Sequence, residues 1–167
     1  MPTVIRTALP ADAPVLAALH ARARATYYAE GPPDAGVDGT AVWRGAIERR
    51  DGHVLCAVRD GSVVGLASFR TPDGDAADTV QLFQFHVEPA HWRAGVGAAL
   101  HAACVEQWRA DGIREAGLDV HRENRRAQAF YARHGWRPAE RADGAGTHLR
   151  MRLAVSDAAG EAGEAGE

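Results

Sequence analysis

The segment from His86 to Cys104, HVEPAHWRAGVGAALHAAC, constrains this chain more than any other. A strand-like apolar pattern runs into Pro89 and passes Gly95 and Gly97. It then becomes helical, with Val96, Leu100, Ala103, Cys104 and Trp108 on one face as far as Gly112. A helix that starts this way leaves its first N–H groups without intrahelical partners, at the positive end of its dipole. Glycines there let the backbone approach a phosphate closely, so the turn is a ready anion site. A phosphate loop of the Walker type fails, because Ala98 follows Gly97 where lysine is needed. A dinucleotide fingerprint requires a small residue where Leu100 stands, although Asp119 would suit a ribose. A plain tight turn explains both glycines with no ligand.

The remaining pattern supplies neighbours for this unit. Thr3–Arg6 reads as a strand, and Pro10-Ala11-Asp12-Ala13-Pro14 as a helix start capped by Asp12, with Val15, Leu16, Leu19, Ala23 and Tyr27 on the buried stripe. The breaker-rich Gly31–Thr40 is a loop, with Thr40 capping a helix that carries Val42, Trp43, Ala46 and Ile47. Two strands flank Asp60-Gly61, a strong hairpin signal. A third long strand ends at Pro89, and another covers EAGLDVH. Asn124 caps a helix that stops at Gly135, and strands over Trp136–Glu140 and Thr147–Ala154 close the chain. The order βααβββαβαββ predicts an α/β or α+β domain on a mixed sheet.

Composition excludes several functions. All 19 basic side chains are arginine, which removes a Schiff-base or phosphate-loop lysine. At 46% hydrophobic and 25% charged residues the body can build a core. No basic footprint for nucleic acid stands out. No apolar run reaches the roughly 18 residues of a membrane span, and the N-terminus has no signal-peptide pattern, so a soluble cytoplasmic protein is expected. Cys56 and Cys104 lie in apolar segments, and neither they nor the eight histidines form a cluster with metal-ligand spacing. No metal is assigned. Residues 156–167 repeat Gly-Glu-Ala without a large apolar side chain, predicting a disordered acidic tail behind one domain over 1–155.

Two motifs in order point further. Val87-Glu88-Pro89 leads to Trp92-Arg93-Ala94-Gly95-Val96-Gly97, and the next strand is followed by Asn124, Ala127, Phe130, Tyr131, Gly135 and Trp136. Together with the opening IRTALPADAP, over about residues 3–155, this resembles the GNAT superfamily of acetyl-CoA-dependent N-acetyltransferases. The resemblance implies a mixed, mostly antiparallel central sheet of about seven strands flanked by about four helices. It implies acetyl transfer from acetyl-CoA, a co-substrate, to a primary amine of a small molecule or peptide, by direct attack in a ternary complex. A homodimer is an expectation of the family.

Carried over by residue, the pantetheine arm would run along Phe85-His86-Val87, adding to it like a strand. The pyrophosphate would lie on the amides from Arg93 through Ala94, Gly95, Val96 and Gly97 to Ala98, with Trp92 standing where the family has Gln or Arg. Asn124 would touch or position the cofactor arm, or simply cap its helix. Tyr131 would protonate the departing thiolate, phenol and thiol pKa values being close. The oxyanion would take a backbone N–H of the Phe85–Val87 strand. Cys104, among apolar helix positions, argues against a thiol nucleophile.

The family often carries a glutamate base on the strand before the turn; here stand Gln81, Gln84 and His86, the last either a base or a lining residue. That difference keeps open a catalytically silent acyl-CoA-binding sensor on the same fold. For the acceptor, the walls expected are Tyr27–Thr40, Thr71–Asp78 and Arg141–Gly146. Their Tyr27, Tyr28, Glu30, Asp34, Asp38, Asp73, Asp75 and Asp78 would suit a cationic molecule.

Overall fold

The computed structural model describes residues 2–34, 36–139 and 146–156. Its elements follow the order read from the pattern: β1 (Val4–Thr7), α1 (Ala13–Ala25), α2 (Thr40–Glu48), β2 (Gly52–Arg59), β3 (Ser62–Arg70), β4 (Thr79–Val87), α3 (Val96–Ala110), β5 (Glu115–His121), α4 (Arg125–Arg133), β6 (Arg137–Pro138) and β7 (His148–Ala154). Short 3-10 turns precede α1 and follow β4. The strands hydrogen-bond in the order β1-β2-β3-β4-β5-β7-β6. β4 and β5 run parallel, joined through α3 as a parallel pair requires. The pairs β1–β2, β2–β3, β5–β7 and β6–β7 are antiparallel.

Contacts cluster into two compact units, one from Met1–Arg70 and Phe83–Ala103, the other from Thr71–Leu82 and Cys104–Glu167. In the first, β2 and β3 form the hairpin expected at Asp60-Gly61, whose φ values of 50° and 77° are the left-handed pair that a tight two-residue turn requires. The periodic face of α1 buries Ala13, Leu16 and Leu19 against Trp43 of α2, Val54 and Cys56 of β2 and Leu66 of β3. In the second unit β5 and β7 pair over seven residues from Glu115↔Ala154 to His121↔His148. Trp108 and Trp136 meet there edge to face at 6.2 Å.

Local details differ from the pattern where a polar side chain found a better partner. Asp12 sits at the α1 N-cap position but makes no side-chain cap; its carboxylate takes the Arg6 guanidinium at 2.8 Å and the Leu9 amide at 2.7 Å. Thr40 is the first residue of α2 rather than its cap, and its hydroxyl donates to Asp38 at 2.6 Å. Val42 is 74% exposed, so the buried stripe of α2 is carried by Trp43, with Ala46 and Ile47 partly buried beside it. Tyr27 lies past the end of α1, and the strand expected from Trp136 shortens to Arg137–Pro138. Of the expected disordered tail, residues 157–167 lie outside the described residues.

Candidate active site

The turn between β4 and α3 is built by backbone. Glu88 N donates to Val64 O at 2.8 Å, and Pro89–His91 then makes one 3-10 turn. The Trp92 indole donates to the Val87 carbonyl at 3.0 Å, occupying one of its lone pairs. Arg93 and Gly95 take φ values of 63° and 85°, which swing the chain into the helix. Ala99 N donates to Gly95 O at 3.1 Å, so the amides of Val96, Gly97 and Ala98 precede the first intrahelical bond of α3. Arg93, Ala94 and Gly95 are exposed, and Val96 anchors the turn at 1% exposure. Arg59 braces it, donating to the Ala94 carbonyl and to Thr3 Oγ1. Glu88 is gripped by Arg22 at 2.6 Å. Gly65 of β3 permits this closeness: a Cβ there would sit 3.3 Å from Val96 Cγ1 and 3.4 Å from the His86 carbonyl oxygen. A 15-residue helix thus offers its first amides at its positive end, an arrangement able to hold an anion.

The strand leading into the turn carries Phe85, whose ring meets buried His101 edge to face at 6.3 Å. His86 Nε2 lies 2.9 Å from Gln84 Oε1, an N–H donating to the amide oxygen, which fixes the ring. The other face of that ring packs on His20 of α1 at 4.9 Å. Sequence reading did not single out His20. The Trp43 indole donates to its Nδ1 at 3.4 Å, and burial, with Arg24 nearby, pushes its pKa down to about 4. It is therefore neutral at pH 7, with its proton on Nε2.

His20 and Gln84 line a cleft of about 570 Å³ within the first unit. Val37, Val42, Trp43, Ala46, Val54, Ser68 and Phe69 line it too, as do Arg49, Arg70 and Phe83. The Arg70 guanidinium lies over the Phe83 ring, 4.8 Å from its centroid. Of the acidic walls expected from sequence, only Asp34 lines this cleft, and its carboxylate is held by Arg24 at 2.6 Å. Asp38 is spent on the Thr40 amide and hydroxyl at 3.0 and 2.6 Å. The acidic character expected of this wall is thus cancelled locally. Asp73, Asp75 and Asp78 belong to the other unit, and Arg141–Ala145 lie outside the described residues.

In the second unit Asn124 caps α4, its Oδ1 accepting from Ala127 N at 3.2 Å, so the cap role is realised. Tyr131 is 6% exposed, with ring centroids 5.7 Å from Phe130 and 5.8 Å from Trp136. Burial pushes the Cys104 thiol up to about 12. Among the described residues no group of three or more His, Cys, Asp or Glu could hold a metal, and no helix is long and apolar enough to cross a membrane.

The sequence model of the acetyltransferase (GNAT) family matches residues 16–136. The fold superposes on PaiA N-acetyltransferase from Thermoplasma acidophilum, solved in complex with coenzyme A. That likeness has a TM-score of 0.76 at 20% identity, over 92% of this chain and 99% of that one. It also superposes on YncA from Salmonella typhimurium, solved with acetyl-CoA, with a TM-score of 0.76 at 24% identity, over 94% of this chain and 96% of that one. No curated protein matches this chain by sequence.

Proposed function

The chain belongs to the acetyltransferase (GNAT) family, and so to the acyltransferases, and from that premise we propose that it moves an acetyl group from acetyl-CoA to the primary amine of a small molecule in one ternary complex. One observation carries the reading. The amides of Val96, Gly97 and Ala98 open a long helix directly behind the left-handed Gly95, one short turn after the strand Phe85-His86-Val87. Those amides, with the positive helix end behind them, would hold the pyrophosphate. Arg93 adds a charge from the turn, and Trp92 leaves the amides untouched because its indole is turned onto Val87.

The pantetheine arm would add along Phe85–Val87 as an extra strand does, bringing the thioester beside that backbone. A strand N–H would then stabilise the oxyanion. The amine nitrogen attacks the thioester carbon, a C–N bond forms, the C–S bond breaks, and the thiolate leaves. We assign the proton that thiolate takes to the Tyr131 hydroxyl. The family frame supports this choice, since packing on Phe130 and Trp136 would explain the ring without chemistry. The nitrogen sheds its own proton to solvent and the Tyr131 phenolate regains one from solvent, giving an amide and free CoA. With Cys104 buried and its pKa raised to about 12, an acyl-cysteine route has no nucleophile.

Tyr131→Phe tests the assignment. General-acid catalysis contributes about 100- to 10,000-fold, so kcat should fall at least about 100-fold while the calorimetric affinity for acetyl-CoA is unchanged. Unchanged turnover removes the proton donor. A parent that binds acetyl-CoA but acetylates no amine in a broad screen would leave the acyl-CoA sensor, in keeping with Gln81, Gln84 and His86 standing where the family often has a glutamate.

A further inference from the structure

We infer that the 570 Å³ cleft takes an amine that carries a carboxylate on an apolar body, with the carboxylate paired to Arg70. This rests on the acetyltransferase reading and names the substrate class of that site.

The argument starts from charge. Asp34 on the wall is bonded to Arg24 at 2.6 Å, and Arg49 is held by Asp51 through two bonds of 2.8 Å. These pairs cancel, and His20 is neutral. Arg70 remains: among the described residues it forms no ion pair, although the Asp51 carboxylate feels its charge, and its guanidinium carbon lies over the exposed ring of Phe83, 4.8 Å from the centroid. A guanidinium held on an aromatic face keeps its N–H edge for a planar acceptor, and a carboxylate is the group that matches that fork. The cleft is thus cationic around Arg70, where a cationic group would meet repulsion.

Strand β4 points to the amine. Gln84 lines the cleft and holds His86, which sits in the strand where the thioester is proposed to lie. Phe83 and His86 are three residues apart on β4, roughly 10 Å along an extended strand. An acceptor whose carboxylate meets Arg70 beside Phe83 and whose amine reaches the strand at His86 needs the two groups separated by several bonds. Trp43, Val37, Val42 and Phe69 supply the apolar walls for what lies between.

Matched ligands test this on the unaltered protein. With acetyl-CoA, kcat/KM for 4-(aminomethyl)benzoate should exceed that for 4-(aminomethyl)benzamide about tenfold or more, the usual worth of a charge-assisted hydrogen bond. In Arg70→Gln that ratio should fall to near one through a raised KM for the carboxylate. Arg70→Lys, which keeps charge but loses the fork, should retain part of it. Equal rates for the two ligands on the parent would overturn the inference, as would an unchanged ratio in Arg70→Gln. Calorimetric binding of 4-(aminomethyl)benzoate in the presence of CoA separates the two claims. Binding that Arg70→Gln abolishes, without turnover of any amine, keeps the carboxylate site and sinks the transferase reading. Turnover of neutral or cationic amines without preference for the carboxylate does the reverse.

Discussion

The turn at residues 92–98 and the cleft behind Trp43 lie in the same compact unit but present different atoms to a ligand. The turn offers main-chain N–H groups set by dihedral angles, with Arg93 at 63° and Gly95 at 85°. The cleft offers side chains brought from α1, α2, β2, β3 and β4, each positioned by packing or by one hydrogen bond. A backbone site depends on a few residues that permit its geometry and is indifferent to the side chains beside it. A side-chain site can be rewritten without touching the fold. The same scaffold can therefore hold one donor and change its acceptor.

Gly95→Val would strain this contrast most. Its Cβ would meet nothing within 4 Å, so the penalty is purely conformational, from a β-branched residue at φ 85°. Left-handed backbone costs an ordinary residue about 1–2 kcal/mol, and relaxing it turns the amides away. Acetyl-CoA affinity by calorimetry should drop about 5- to 30-fold, on the scale of 1.4 kcal/mol per tenfold. Retained affinity would mean that side chains, not amides, hold the donor.

A smaller effect sharpens the cleft side. His20 has its pKa pushed down to about 4 from 6.5, so the unfolded chain binds its proton more readily than the folded one. The stability that neutral His20 contributes is fully present above pH 6.5 and is lost progressively as pH falls towards about 4. After allowance for partial solvent screening the loss is on the order of 1–2 kcal/mol. Urea midpoints measured across that range should decline more steeply for the parent than for His20→Gln. Parallel curves would show that packing on Trp43 and His86 does not desolvate the ring.

Trp92→Phe should do least. It removes the indole bond to Val87 O but leaves the turn dihedrals and amides in place. Acetyl-CoA affinity should stay within about twofold, with a modest loss of stability of about 0.5–1.5 kcal/mol from the missing hydrogen bond. A tenfold loss of affinity would blur the distinction between the two regions.

That distinction also explains what could be read from the chain. Local devices were legible: α3 runs from Val96 to Ala110 as its apolar period demands, Asp60-Gly61 is the hairpin, and Asn124 caps α4. Each depends on residues within a turn or two of one another. The cleft was not legible, because His20, Trp43, Arg70 and Phe83 approach only when separate elements pack. A clue did exist in His20, a polar residue next to Leu19 on the buried stripe of α1, where its proximity to Trp43 marks a partner rather than solvent. Acidic residues misled for a related reason. Asp34 and Asp38 look like a cation trap in sequence, but short-range neighbours consume them first.

Both cysteines are fully buried, with thiol pKa values pushed up to about 11 at Cys56 and about 12 at Cys104 by desolvation. The folded protein is therefore silent to thiol-reactive dyes. Every equivalent of colour in a continuous disulfide-exchange assay would report CoA set free by turnover, and a slow rise without acceptor would report unfolding instead.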